Sequence, residues 1–235
     1  MSTTRRLAAS QQFLDDLYGR LARRYDLVNA VQSAGLVGFA RRAAARHLGA
    51  GVVLDVGAGS GDLAAACLAA GADRVVCLDR SPPMLAVARE KLAGEERAGR
   101  VAFVRGDVFR LPFDDETFDH VGSGFVFRNL PAAEEAFGEL FRVLKPGGNF
   151  ASVDVLAPPP GLFGAAYRLY LNTMVPVWGR LFAGDRPAYK YLAASIQRCF
   201  TGEEFALRLE AAGFEATRAQ PWFGGICYVV TGRKP

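Results

Sequence analysis

The stretch Val52-Val-Leu-Asp55-Val-Gly57-Ala-Gly59-Ser-Gly61-Asp62 decides the fold. Val52 to Val56 has the composition of a short buried strand, and three alternate glycines break it before a helix takes over from Leu63 to Ala70. Glycine at these positions lets the backbone turn sharply and approach a ligand, because no Cβ blocks positive φ or close contact. A loop that grips a pyrophosphate wants the spacing GxGxxG, whereas this one is GxGxG preceded by an acid. With Asp55 at the strand tip, such a pocket suits an ammonium group better than a doubly charged phosphate.

Outward from this loop, short apolar runs alternate with helical patterns. Strands are expected at Arg74–Leu78, Val101–Arg105, Phe118–Gly124 and Phe150–Leu156, with helices at Pro83–Leu92 and Pro131–Leu144 between them. Continuous apolar strands separated by helices imply a parallel sheet covered on both faces. Thr201-Gly-Glu-Glu204 has the form of a capping box and starts a helix that runs through Ala212 and stops at Gly213. Phe214–Ala219 and Ile226–Thr231 then read as an antiparallel hairpin. The fold class expected is α/β: a doubly wound, Rossmann-like sheet of about seven strands closed by an antiparallel hairpin.

Ahead of the core, Phe13, Leu17 and Leu21 recur at helical spacing between Ser10 and Arg24, and a second helix is expected over Gly38–Leu48. Residues 1–50 are thus expected to form a helical cap on a core at 51–156. The insertion Ala157–Phe200 is much longer than the usual connection of about 2 to 6 residues, and 201–235 complete a single domain. Its first half is rich in Leu162, Phe163, Tyr167, Leu169, Leu171 and Met174. Such a segment is either a helix buried against the core or an oily, membrane-facing lid.

Composition narrows the class. Of 235 residues, 51% are hydrophobic and 22% charged, so the chain can bury enough surface to fold and disorder is excluded. The four cysteines form no CxxC pair, which argues against a disulfide framework and against a tetrahedral zinc site. Met1 to Gln12 carries Arg5 and Arg6 with no apolar run behind them, so the expected location is cytoplasmic. A net charge of +4, dispersed along the chain, makes a poor case for nucleic acid but is compatible with an anionic membrane surface.

The next strand tips carry matching chemistry. Asp79, eighteen residues after Gly61, can accept from both hydroxyls of a ribose, and Met84 can lie against an adenine face. In Gly106-Asp107-Val108, Asp107 can accept from an adenine amino group; each acid taken alone could equally be a turn or cap residue. Together with Asp55, Gly57, Gly59 and Gly61 these residues resemble the class I S-adenosylmethionine-dependent methyltransferases. Asp119, Leu111-Pro112-Phe113, Arg142-Val-Leu-Lys-Pro-Gly-Gly148 and Ala211-Ala-Gly-Phe214 extend the likeness.

Three further segments are more telling: Tyr25-Asp-Leu-Val-Asn29 with Ser33 and Gly35, Phe125-Val-Phe-Arg128-Asn129, and Tyr167–Ile196 with Tyr189-Lys-Tyr191-Leu and Ser195-Ile196. With them the chain resembles the ubiquinone/menaquinone biosynthesis C-methyltransferase family from about Tyr18 to Lys234. The resemblance implies S-adenosyl-L-methionine as cofactor, with Asp55, Gly57, Gly59, Gly61, Asp79, Met84, Asp107 and Val108 around it. It implies methyl transfer to the ring carbon of a polyprenylated demethyl-hydroquinone, with the insertion as an apolar wall for the tail. A peripheral membrane contact and a homodimer are compatible with it.

Methyl transfer from a sulfonium needs alignment and a polarised or ionised phenol, and no metal. Arg128 and Asn129, just past the fourth strand, are candidates to stabilise the phenolate; a salt bridge from Arg128 to Glu134 or Glu135 is the plainer alternative. Asp154 is a candidate base acting through water, or a cap for the lid. Tyr25 would close over the cofactor, and Tyr189, Tyr191 and Ser195 would line the acceptor side. His47 and His120 are expected to be structural. Where the family commonly has histidine and tryptophan, this chain has Val37 and Ala40, which leaves the quinone ring open. Competing readings are an O- or N-methyltransferase of a small aromatic metabolite, and a donor-binding subunit without activity.

Overall fold

The structure, a computed structural model, describes residues 36–130, 132–178 and 193–235. Helix α1 (Leu36–Arg46) leads into β1 (Val52–Val56), α2 (Asp62–Ala69), β2 (Arg74–Asp79), α3 (Pro82–Lys91), the short α4 (Ala93–Arg97) and β3 (Val101–Arg105). The chain returns through β4 (Phe118–Gly124), a 3-10 turn (Phe127–Asn129), α5 (Ala133–Val143) and β5 (Leu144–Asp154). Helix α6 (Leu162–Trp178) occupies the insertion, and α7 (Gly202–Ala211), β6 (Glu215–Trp222) and β7 (Cys227–Arg233) close the fold. The amphipathic segment Ser10–Arg24, and with it Tyr25, Tyr189 and Tyr191, lies outside the described residues.

The seven strands form one sheet in the order β3-β2-β1-β4-β5-β7-β6. β1 pairs parallel with both β2 and β4, with Asp55 beside Cys77 on one side and Gly122 on the other. β7 runs antiparallel between β5 and β6, which is the hairpin expected from the sequence. Because the chain winds outward from β1 in one direction and from β4 in the other, a crevice opens at the carboxyl ends of these two strands. Pro221, which cannot donate to a ladder, sits in the edge strand β6.

Two apolar layers cover the sheet. On one face, Phe118, Phe127, Phe137, Phe150, Phe205 and Phe214 pack with Leu140 and Leu144, and rings of Phe127, Phe137 and Phe205 lie 4.7 to 5.2 Å apart. On the other face, small residues of α1 (Ala40, Ala44, Ala45) let that helix settle closely on Leu63, Val53 and Val153. Among the described residues, no helix is long and apolar enough to cross a membrane.

Both ends of β5 differ from the expected bounds. β5 begins at Leu144 rather than Phe150, because Leu144 already pairs with Phe118 before the Lys145–Gly148 turn interrupts the ladder. It ends at Asp154, while Leu156 beyond it is still fully buried. The sequence also gave no sign of α4, a single turn that follows α3 directly. The Thr201 cap is a complete capping box: Glu204 N–H donates to the Thr201 hydroxyl at 3.2 Å and Thr201 N–H to the Glu204 carboxylate at 2.8 Å.

Candidate active site

The crevice at the β1/β4 switch holds a cavity lined by Asp55 to Ser60 from the glycine loop, Asp79 and Met84 from the second unit, and Gly106 to Phe109 after β3. Phe125, Val126, Asn129 and Leu130 after β4 close its far side. The loop geometry explains the glycines. At Gly57, φ is +66° and an added Cβ would stand 2.3 Å from Val126 Cγ2, so only glycine brings these walls so close. Gly61 lies outside the cavity lining. It is the residue before α2, in a left-handed conformation, and a Cβ there would meet Leu92 and Ala88 of the neighbouring unit at 3.0 and 3.2 Å.

Asp55 is the most informative group. It is 1% exposed, and among the described residues neither carboxylate oxygen has a hydrogen-bond partner. Burial pushes its pKa up to about 8, against the opposing pull of the Ala64 backbone and the Arg41 charge. A buried, unsatisfied carboxylate facing a cavity is costly unless a ligand cation completes it.

Asp79 differs. Oδ2 accepts from Gly59 N–H and Oδ1 from Ser81 N–H, both at 2.8 Å, so the side chain ties β2 to the glycine loop. An ionised carboxylate is an acceptor only, which is the chemistry that ribose hydroxyls require. Met84 is buried, with Cε at 3.2 Å from the Cβ position of Gly59. Asp107 accepts from Phe109 N–H at 3.1 Å and faces Arg80 at 3.9 Å. Val108 lines the cavity beside it. From Asp107 past β3 to Asp55 at β1, the acids follow the strand order across the crevice, which fits an elongated ligand with a nucleoside at one end and an amino group at the other.

Arg128 and Asp154, read from the sequence as separate groups, form one buried pair: Arg128 Nη1 donates to Asp154 Oδ1 at 2.9 Å, with side chains 6% and 0% exposed. Glu134, one of the two alternative partners for Arg128, pairs with Arg208. Asp154 also accepts from Phe127 N–H and Val155 N–H, both at 2.8 Å, so it is a buried anchor and not a base open to water. Burial holds its pKa above the usual carboxylate value, with the Arg128 charge offsetting part of the rise. Neither residue lines the cavity, whereas Asn129 does, and Asn129 donates to Phe125 O at 3.3 Å. Ser195 is buried and outside the cavity lining.

The remaining reactive side chains are structural. His120 Nδ1 accepts from Asn149 N–H at 3.3 Å while Nε2 faces Ala50 O at 2.9 Å, a pattern that fits the neutral ring with hydrogen on Nε2. Burial lowers its pKa accordingly. Cys199 and Cys227 lie near Asp154, and burial pushes both thiols up to about 12, too high for a nucleophile at neutral pH. Sequence reasoning missed Arg41, whose guanidinium reaches the cavity from α1. Its signal was weak, one arginine among many on an amphipathic helix.

Comparison with known proteins agrees with this geometry. The sequence profile of the ubiE/COQ5 methyltransferase family matches residues 6–234. The chain is 38% identical over 224 residues to the demethylmenaquinone methyltransferase of Thermus thermophilus, covering 93% of this chain and 100% of that one. It is 39% identical over 243 residues to a ubiquinone/menaquinone biosynthesis C-methyltransferase of Methylobacterium nodulans, covering 97% and 93%. Among solved structures, a SAM-dependent methyltransferase of Thermotoga maritima superposes with a TM-score of 0.67 at 20% identity, covering 94% of this chain and 99% of that one. The [4+2]-cyclase SpnF does so with 0.64 at 20%, covering 84% and 81%. Structural likeness at that identity shows the fold alone, and the cyclase shows that the fold does not dictate methyl transfer.

Proposed function

This chain belongs to the ubiE/COQ5 methyltransferase family, and from that premise we propose that it methylates a ring carbon of a polyprenylated demethyl-hydroquinone, such as demethylmenaquinol, using S-adenosyl-L-methionine. The observation that carries the donor half is the buried, partnerless Asp55 carboxylate at the wall of the glycine-loop cavity. The acceptor half rests on the relatives and on the apolar wall after β4.

The residues present fit the donor. Asp55 takes its ammonium group, Asp79 its ribose hydroxyls, and Met84, Asp107 and Val108 surround its adenine. When bound, the donor supplies a methyl group already activated by the sulfonium. The protein must then hold the acceptor in line, exclude water and keep the phenol ionised or polarised. Phe125, Val126 and Leu130 present an apolar surface for the ring, and Asn129 places a polar group at the same wall. Arg128, fixed by Asp154, carries a buried positive charge one residue away, which favours the phenolate over the phenol. Tyr25, Tyr189, Tyr191 and Ser195 remain proposed contacts of the cofactor and acceptor. In this reading the insertion takes the prenyl tail, and a tail of that kind favours a peripheral contact with a membrane surface.

The experiment is incubation with methyl-labelled donor and chemically reduced demethylmenaquinone. Label on a ring carbon, located by mass spectrometry and NMR of the product, is the expected result. Label on oxygen, or on a small aromatic amine in preference to the quinol, would overturn the acceptor assignment.

A further inference from the structure

Arg41 projects from α1 to the cavity wall, at the end where Asp55 stands. Its Nη1 pairs with Asp62 Oδ2 at 2.9 Å, and its guanidinium lies over the Phe125 ring, 5.6 Å from the centroid. Lys91 of α3 donates to the other Asp62 oxygen at 2.6 Å. Asp62, the first residue of α2, is therefore shared between two cations. A guanidinium has five N–H donors. Among the described residues, Asp62 is the acceptor Arg41 touches, so most of that fork faces no protein acceptor.

The same end of the cavity thus holds one partnerless buried carboxylate and one cation with donors to spare. The Arg41 charge already acts on the Asp55 carboxyl, which places the two groups within electrostatic reach of each other. Charges of opposite sign arranged this way match a zwitterion. We propose that Arg41 binds the carboxylate of the donor's amino-acid end while Asp55 binds the ammonium group, so that the two form a zwitterion clamp. The inference rests on the donor reading above and deepens it, naming what selects an intact methionyl end. Phe125 stacks beneath the guanidinium and Asp62 fixes its edge, so the fork is oriented before the ligand arrives.

The test compares S-adenosylmethionine with its decarboxylated analogue, which keeps the ammonium and lacks the carboxylate, by calorimetric titration of the full chain. The wild-type protein is expected to favour the intact donor by about ten- to a hundredfold, the worth of a hydrogen-bonded charge pair. In Arg41→Met the preference should fall to within about threefold, through weaker binding of the intact donor alone. Arg41→Lys, which keeps a charge without the fork, should recover part of it. Equal weakening of both ligands in Arg41→Met would make the residue a mere tie between helices and overturn the clamp, as would an undiminished preference. A wild-type protein that binds neither ligand would overturn the donor reading and the clamp with it.

Discussion

Asp55 carries opposing demands that can be separated by pH. In the donor-free protein its pKa is about 8, against about 3.9 in an unfolded chain. Between those values the unfolded state has released a proton that the folded state keeps, so the group's stabilising contribution is complete below about pH 4 and is lost as pH rises to about 8. Asp55→Asn removes this penalty. Its melting temperature should therefore gain on the wild type as pH rises from 5 to 8 and should not differ in this way near pH 4, while donor affinity falls. A gain independent of pH would mean that the carboxyl is not held neutral. The buried pair at Arg128 and Asp154 predicts the opposite sign. Arg128→Met leaves an anion at 0% exposure without its partner and should cost about 3 to 5 kcal/mol in urea unfolding. Adding Asp154→Asn should return much of that loss, since the backbone donors of Phe127 and Val155 can still be served.

At the scale of elements, the motifs that carried no chemistry turn out to be joints. Arg142 of α5 grips Glu139 through Nε and Nη2, both at 2.8 Å, and donates from Nη1 to Phe113 O at 2.8 Å, while Glu139 accepts from Leu111 N–H. The Leu111-Pro112-Phe113 loop is thereby fastened to α5. Asp119 does the same for the sheet, accepting from Val52 N–H and Lys145 Nζ at 2.8 Å each. Arg142→Lys should lower stability by about 1 to 2 kcal/mol in chemical denaturation, because an ammonium cannot span the carboxylate and the loop carbonyl together. Thr201→Ala should cost about 1 kcal/mol by removing the capping box. The strands and the capped helix were legible because period, glycine punctuation and caps are local signals. Arg128 paired with Asp154 was not, because it joins residues 26 apart whose meeting depends on β4 lying beside β5. Arg41 was illegible for the same reason: nothing in α1 announces that it packs against the loop after β1.

For the whole molecule, the helix of the insertion, α6, has two unlike faces. In α6, Tyr167, Leu171 and Val175 recur at four-residue spacing and are buried. Leu162, 89% exposed, together with Phe163, Leu169, Tyr170 and Met174, leaves the other side apolar and open, and Arg168 is the sole charged residue in the helix. An apolar face of this extent, on the segment closest in chain order to the proposed acceptor contacts, suits a protein that draws its substrate from a bilayer. Cosedimentation with vesicles containing anionic lipid should therefore capture the wild-type protein. The triple variant Leu162→Ser, Leu169→Ser, Met174→Ser should bind the vesicles about a hundredfold more weakly, since each exposed side chain contributes on the order of 1 kcal/mol when it enters the interface. Turnover of a short-tailed quinol dispersed in detergent should be unchanged by the same substitutions, because none of the three residues lines the donor cavity. Equal capture of wild type and variant would place the membrane contact elsewhere on the molecule. Loss of detergent turnover would instead make the face part of the acceptor site, with the tail and not the bilayer as its occupant.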